Sequence, residues 1–365
     1  MKSDLQTLTA DNKKIPRQSN IELLRIIAMI IIIAHHFAIH SDFEFSSEII
    51  IINKLWVLFN SGGKIGVNIF ILISGYFLVT STTLKATKLI KLWLQIFTYS
   101  IVIFFIFVGF GIEPFGIKAL IYHFLPVTYS QWWFASWYFV LYLFSPYINK
   151  LLNTLSKESY QHFLILFTVS LCIIPTFLVV PLKNNLFWFI YLYILGGYVR
   201  LHVNKSSIKG STYIILSFIL AVLTFCSGLF LDILGTKISF FKTYVNFWYL
   251  YDMQHLPMLL ISFLMFIGFL KINIGYKPII NIISSAVFGV YLIHDNSYVR
   301  PFLWKTIFNN SWFKSHLFIP YSIMVIALVF IVCTTIELLR IYVLEKHYIK
   351  FINKVAKLAD TYIDT

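Results

Sequence analysis

Four polar side chains near the start of the chain fall within an otherwise apolar stretch. Glu22, Arg25, His35 and His36 lie between residues 21 and 40 of a chain of 365 residues. A charged side chain inside a bilayer costs roughly 2.5–3.5 kcal/mol on insertion scales, so such residues usually serve a function. These four residues are therefore the first candidates for chemistry.

The spacing of Arg25 and His36 predicts that both side chains lie on one face of a helix. Eleven residues at about 100° each return to within roughly 20° of the starting direction and cover about 16 Å along the axis. One interpretation is that Arg25 holds an anion at the cytosolic rim while His36 accepts a proton deeper in the span. The alternative is that Arg25 extends to the lipid headgroups and the histidines are hydrogen-bonded packing residues.

Lysines and small residues mark the next two helical segments. Lys88 and Lys91 are three residues apart at the start of the third predicted span and share a face. They could bind a phosphorylated cofactor, or they could be ordinary lysines of a cytoplasmic loop. The second span, GGKIGVNIFILISGYFLV (62–79), contains glycines that favour close helix packing or a broken helix lining a cavity.

Two later segments supply candidate contacts for a substrate on the opposite side. The segment GVYLIHDNSYVRPFLW (289–304) places His294, Asp295 and Arg300 at the predicted outer rim. Neighbouring residues do not face each other on a helix, so the His–Asp pair is not predicted to act as a unit. The aromatic segment WWFASWYFVLYLFSPY (132–147) is typical of an interfacial belt. We include its Trp137 and Tyr138 as candidate substrate contacts.

Composition predicts the helices that must position these residues. Of all residues, 59% are hydrophobic and 12% are charged, whereas a soluble domain carries roughly 25% charged residues. Three cysteines, Cys172, Cys226 and Cys333, lie in apolar runs without metal-ligand spacing, and we predict no metal site. We predict an all-α transmembrane bundle of about ten helices, with an interfacial helix in 111–132. The predicted spans are 21–40, 57–79, 89–110, 133–149, 161–181, 186–201, 211–231, 249–270, 279–298 and 317–340.

The distribution of lysine and arginine predicts the orientation. With the N-terminus in the cytosol, the inner segments hold 19 of these residues and the outer segments hold 9, and Arg25 completes the 29. This bias predicts that both termini are cytosolic, and it explains the net charge of +14 without a nucleic-acid partner. We divide the chain into a cytosolic segment 1–20, a transmembrane domain 21–343 and a basic cytosolic tail 344–365 that could contact anionic lipids.

Five segments in this order resemble the acyltransferase-3 family, membrane proteins that O-acylate carbohydrates and other cell-envelope acceptors. The first, RIIAMIIIIAHH, begins at Arg25 and ends at His36. The others are GVNIFILISGYFL, WYFVLYLFSPYI, YILGGYV and FGVYLIHDNSYVRP. The resemblance extends over nearly the whole chain.

The resemblance implies a donor, usually acetyl-CoA, that approaches from the cytosol, and an acceptor modified on the outer side. The functional arginine and histidine of the first-helix motif correspond to Arg25 and His36, and the Ser-Gly of the second corresponds to Ser74 and Gly75. His36 would then deprotonate the attacking hydroxyl or assist formation of an acyl-enzyme.

The family's basic pair before the third helix is usually two arginines. In this chain Lys88 and Lys91 take these positions. They keep the positive charge but lack a guanidinium group, which binds a phosphate through two N–H donors at once.

These expectations together predict an O-acetyltransferase of the bacterial plasma membrane. Its acceptor would be an extracellular or capsular polysaccharide, or the lipid-linked precursor, and a partner in polysaccharide assembly is possible. A second hypothesis is a transporter or flippase for a sugar or lipid-linked intermediate, since scattered polar groups in a helical bundle suit that function too. The sequence shows no matched pair of interrupted helices in two halves, a feature that would favour the transporter.

Overall fold

The described part of the chain is mostly helical. The computed structural model describes residues 17–179, 184–203, 207–243 and 245–345, with the single positions 347, 349 and 354. Within these residues no strand occurs, which confirms the predicted all-α class. A helix satisfies its backbone hydrogen bonds internally, as an apolar environment requires. Most of the predicted segment 1–20 and nearly all of the tail 344–365 lie outside the described residues, so that division stays a prediction.

The α-helices follow one another with short connections. In chain order the described residues form α1 Ser19–His40, α2 Ile51–Asn60, α3 Lys64–Leu78, α4 Ala86–Gly109, α5 Ile117–Phe124, α6 Trp133–Thr154, α7 Lys157–Thr168, α8 Ile174–Leu178, α9 Asn185–His202, α10 Gly210–Gly235, α11 Ser239–Thr243, α12 Leu256–Lys271, α13 Pro278–Ser285, α14 Val287–His294, α15 Val299–Pro301 and α16 Phe318–Leu339. Wider π turns cover Val169–Ile173, Phe302–Ile307 and Arg340–Glu345, and 3-10 turns cover Phe247–Tyr251 and Asn310–Trp312. The short helix α5 lies inside the region where an interfacial helix was expected.

Seven helical stretches of the described chain are long and apolar enough to cross a membrane. They are Ser19–His40, Ile51–Leu78, Ala86–Gly109, Lys157–Leu178, Gly210–Gly235, Phe247–Lys271 and Phe318–Glu345. The pair Pro278–His294 and Val299–Trp312, bent by 89°, makes an eighth if it forms one span. The predicted spans 133–149 and 186–201 correspond to α6 and α9, which are not among these. The number of ten and the orientation of the termini stay predictions.

Helix α1 lies in the interior of the bundle. It packs against α3, α12, α13, α14 and α16, and 61% of its most apolar window is buried, against 17% for α10. A helix that is apolar on nearly all sides suits such a buried position. The polar residues of α1 therefore face other helices and internal cavities.

Helices α3 and α9 approach closely because each has a glycine at the crossing. A Cβ atom on Gly75 would collide with the carbonyl oxygen of Tyr193 in α9, and a Cβ atom on Gly196 would collide with the carbonyl oxygen of Leu72 in α3. Backbone atoms cannot move aside as a side chain can. The crossing therefore depends on both glycines.

Replacing Gly196 by Ala is expected to destabilise the protein by about 1–3 kcal/mol, because overpacking forces the two helices apart. Thermal unfolding in detergent measures the effect. The matched control is Gly109→Ala, because a Cβ atom there meets nothing within 4 Å. Equal unfolding temperatures for the two variants would contradict this account of the crossing.

A buried polar network joins α16 to α4. Glu337 is fully buried and accepts hydrogen bonds from Gln95 (2.8 Å), from Tyr99 (2.5 Å) and from Nε (2.7 Å) and Nη2 (2.8 Å) of Arg340. The side chain of Glu337 lies against Gly289 of α14, where a Cβ atom would collide with it. The network therefore also fixes the position of α14.

Candidate functional site

Two histidines from distant helices meet inside the bundle. His36 Nδ1 of α1 lies 2.9 Å from His294 Nε2 of α14, and His294 Nδ1 lies 2.6 Å from the carbonyl oxygen of Val290. Because a carbonyl oxygen only accepts, His294 Nδ1 must donate, and the Nε2 of a neutral His294 then accepts from His36 Nδ1. In a neutral His36, this assignment places the lone pair on Nε2. Among the described residues, no hydrogen-bond partner of this nitrogen lies within reach.

Asp295 supplies a negative charge beside His36. Its Oδ1 lies 3.6 Å from His36 Nδ1 and accepts a hydrogen bond of 2.8 Å from Arg300 Nε. Arg300 Nη2 also donates to the backbone carbonyl of Asp295 at 3.1 Å. The Asp295 side chain is 2% exposed. Because Arg300 holds its carboxylate in place, the carboxylate can stabilise a positive charge on His36.

The end of α14 explains how two consecutive residues both reach His36. The helix ends at His294, and the chain bends there before Val299. Asp295 is the residue that caps the helix and no longer follows its geometry. At the end of a helix, two consecutive residues such as His294 and Asp295 can therefore point toward the same side chain.

A central cavity of about 370 Å³ is lined by three of the four first-helix candidates. Among its lining residues are Glu22, Arg25, His36, Ser74, Tyr138 and Tyr291. The side of α1 that carries Arg25 and His36, as predicted from their spacing, therefore lines a cavity.

Two further cavities adjoin the central one at opposite ends. The Lys88 cavity, about 420 Å³, shares Arg25, Ser74 and Tyr138 with it and adds Lys88, Lys91 and Glu345. The Lys64 cavity, about 360 Å³, shares His36 and Trp133 with the central cavity and adds His40, Lys64, Asn185, Asp295 and Arg300. His36 thus stands where the central cavity meets the Lys64 cavity.

Arg25 is paired and still faces open space. Its Nη1 donates to both carboxylate oxygens of Glu22, at 3.0 and 3.1 Å, and Ser284 donates to Glu22 at 2.5 Å. The guanidinium carbon lies 5.9 Å from the ring centroid of Phe77. The Arg25 side chain is 30% exposed and lines the central and Lys88 cavities, so one edge of it stays available to an anion.

The two predicted lysines differ in their surroundings. Lys91 forms an ion pair of 3.1 Å with Glu345, beyond the end of α16. Lys88 is exposed at the rim of the same cavity and has no acidic partner among the described residues.

The remaining candidates divide between cavity and packing positions. Ser74 donates to the carbonyl oxygen of Phe70 (2.8 Å), and its oxygen lies 3.3 Å from the hydroxyl oxygen of Tyr138, at the junction of the central and Lys88 cavities. Gly75 lies at the crossing with α9. Tyr138, predicted to contact the outer substrate, lies at the Lys88 end, and Trp137 is half-buried and lines none of the three cavities. All roles in binding and catalysis stay predictions.

One group of side chains has a donor set that a metal could use. Ligand atoms of His36, His40 and Asp295 lie within 4.8 Å of one another. Histidines four residues apart on a helix can bind a transition metal together with a carboxylate. In this structure Asp295 is already paired with Arg300, and His36 lies within hydrogen-bond distance of His294.

Sequence reasoning did not select His40, Lys64 or Tyr291 for this site. His40 shared the spacing signal, because it lies four residues after His36 on the same face. Lys64 and Tyr291 carried no local signal, since only the folded bundle brings them to the cavities.

A known protein family matches most of the chain. No curated protein and no solved structure matches the chain. The family model of the acyltransferase-3 family, described as an acyltransferase domain, matches residues 18–338, which extend from α1 into α16. Together with the apolar helices, this match indicates a multi-pass membrane acyltransferase: the chain belongs to the acyltransferase-3 family.

Proposed function

We propose that the protein transfers an acetyl group from cytosolic acetyl-CoA to a hydroxyl of an extracellular or capsular polysaccharide, or of its lipid-linked precursor, in the bacterial plasma membrane. One observation carries the proposal: His36 lines both the central cavity and the Lys64 cavity. A base at that junction can act on a hydroxyl from one side and on a thioester from the other.

The proposed orientation puts the Lys88 cavity at the cytosolic face. Support comes from the excess of lysine and arginine in the segments on that side. The Lys64 cavity then opens outward, toward the acceptor.

Acetyl-CoA suits the chain of cavities because its charge and its reactive group lie at opposite ends. Lys88, Lys91 and Arg25 provide positive charge for the phosphates at the Lys88 end. The flexible pantetheine arm can then extend through the central cavity toward His36. Lys91 is engaged by Glu345, so the phosphates would compete with that carboxylate.

The proposed reaction is a direct transfer. His36 Nε2 removes the proton from the acceptor hydroxyl while the hydroxyl oxygen attacks the thioester carbonyl carbon. The carbon–oxygen bond forms, the carbon–sulfur bond breaks, and the leaving thiolate takes the proton from His36. The Asp295 carboxylate stabilises the imidazolium between these two proton transfers, and Arg300 holds the carboxylate.

A transfer assay in membrane vesicles tests the function. Vesicles containing the protein are supplied with [¹⁴C]acetyl-CoA on the cytosolic face and with envelope polysaccharide on the other. We expect label in the polysaccharide, and a mass increase of acetyl groups in polymer from cells that carry the protein. Movement of unmodified sugar without any label transfer would instead support a transporter or flippase.

Replacing Lys88 by Ala is expected to raise the KM for acetyl-CoA about tenfold, because one charge-assisted contact to a phosphate is lost. The KM for acetyl-pantetheine, which lacks the nucleotide phosphates, should not change. Lys150→Ala, an exposed lysine at the same end of the bundle, serves as the control. An equal effect on both donors would contradict the placement of the phosphates.

A further inference from the structure

The side chains that line the Lys64 cavity carry more positive than negative charge. Lys64 begins α3, is half-buried, and has no acidic partner among the described residues. By contrast, Lys305 is paired with Asp42 at 2.6 Å. A half-buried cation without a counterion favours an anionic ligand.

Arg300 adds to this charge and keeps one donor free. Its Nε and Nη2 both bind Asp295, and Nη1 has no acceptor within hydrogen-bond distance in the described part of the chain. Asp295 neutralises one of the two cations, because it is the sole acidic residue among those lining the cavity. Lys64 and the free edge of Arg300 therefore present a net positive charge to a molecule in the cavity.

The other polar groups of this cavity suit sugar hydroxyls. Asn185 offers an amide that can donate and accept, and His40 offers an imidazole at the rim. His36 lies at the inner end.

We infer that the Lys64 cavity binds an acceptor that carries an anionic group, a carboxylate or a phosphate, next to the hydroxyl that is acylated. Lys64 and Arg300 Nη1 hold the anion, and the neighbouring hydroxyl faces His36. This inference rests on the proposed function, and it names the substrate class of that site. A phosphate could belong to the polymer or to a lipid carrier, whereas a carboxylate belongs to the sugar.

Three acceptors test the inference in vesicles supplied with acetyl-CoA. They are a uronic-acid oligosaccharide, its carboxyl-reduced neutral counterpart, and a polyprenyl-diphosphate-linked sugar. For the wild type we expect a KM about tenfold lower for at least one anionic acceptor than for the neutral one. This preference should weaken as salt is raised, because exposed charges are screened.

Lys64→Gln should abolish most of the preference, while Lys54→Ala, a lysine of α2 outside the three cavities, should preserve it. Preference for the uronic acid assigns the anion to the sugar, and preference for the diphosphate alone assigns it to the lipid carrier. Equal KM values for charged and neutral acceptors, or a preference that survives in Lys64→Gln, would overturn this inference but not the proposed function. If the wild type acetylates none of the three, the proposed function itself fails.

A different observation carries a second inference, about Tyr291. Its hydroxyl is enclosed and makes no hydrogen bond of normal geometry among the described residues, although the Asp295 carboxylate and the backbone of Phe134 lie nearby. The residue is 4% exposed and lines the central cavity together with His36. A buried hydroxyl without a partner costs free energy unless a ligand accepts from it.

We infer that Tyr291 donates a hydrogen bond to the thioester carbonyl oxygen as negative charge develops there. Under the proposed function, Tyr291→Phe should lower kcat for acetyl transfer by roughly 10²-fold, with little change in the KM for acetyl-CoA. The unfolding temperature should stay the same or rise, because an unsatisfied polar group is removed. Tyr251→Phe, a buried tyrosine outside the three cavities, is the control. A kcat within twofold of the wild type, or a lower unfolding temperature that accounts for the loss, would overturn this role.

Discussion

Replacing His36 by Gln is expected to lower the rate of acetyl transfer by roughly 10²–10⁴-fold, the range that general acid–base catalysis contributes. Glutamine fills a similar volume and keeps hydrogen-bonding groups beside His294, so the substitution leaves no large cavity between α1 and α14. It cannot take a proton from a hydroxyl. The measurement is labelled transfer per folded molecule, with the amount of inserted protein determined in the same vesicles.

The matched control is His123→Gln. His123 is also buried, but it forms a structural network with Ser100 and Gln131 away from the three cavities. Transfer per folded molecule should stay within about twofold of the wild type in that variant. If His36→Gln transfers acetyl as fast as the control, His36 is not the base.

Replacing Glu337 by Ala is expected to destabilise the protein by about 3–5 kcal/mol, the usual cost of removing one partner of a buried ion pair. Arg340, which is 7% exposed, would lose two hydrogen bonds, and Tyr99 and Gln95 would each lose one. The contact with Gly289 would also become a void. Thermal or denaturant unfolding of the purified protein measures the loss.

Glu345→Ala provides the comparison for stability. Glu345 also pairs with Arg340, at 3.1 Å, but its side chain is 24% exposed, so its removal should cost about 1 kcal/mol or less. Similar losses in the two variants would mean that the buried network does not hold α16 against α4 and α14.

Much of the fold was predictable from the sequence because its signals are local. Apolar length predicts helices, and the spacing of Arg25 and His36 predicts one face, which the structure places on the central cavity. The number of spans was less predictable. Helices α6 and α9 contain many aromatic and polar residues, so their composition does not decide whether they cross a membrane. The helical pair after Pro278 is bent between His294 and Val299, so it could count as one span or as none.

The pairing within the site could not be predicted, because it joins residues far apart in the chain. His36 and His294 are separated by 258 positions, and Lys91 and Glu345 by 254. No periodicity connects such pairs. His294 illustrates the limit, because its position in the sequence did not indicate that it is fully buried and lies 2.9 Å from His36. Its predicted contact with the substrate stays a prediction.

We propose that the acyl donor reaches His36 from the Lys88 end. A cryo-EM structure with a non-hydrolysable thioether analogue of acetyl-CoA tests it most directly. We expect the phosphates at Lys88 and Arg25, the pantetheine arm in the central cavity, and the acetyl carbonyl within about 4 Å of His36 Nε2. An acetyl group bound outside the central cavity, or entering through the Lys64 cavity, would contradict it.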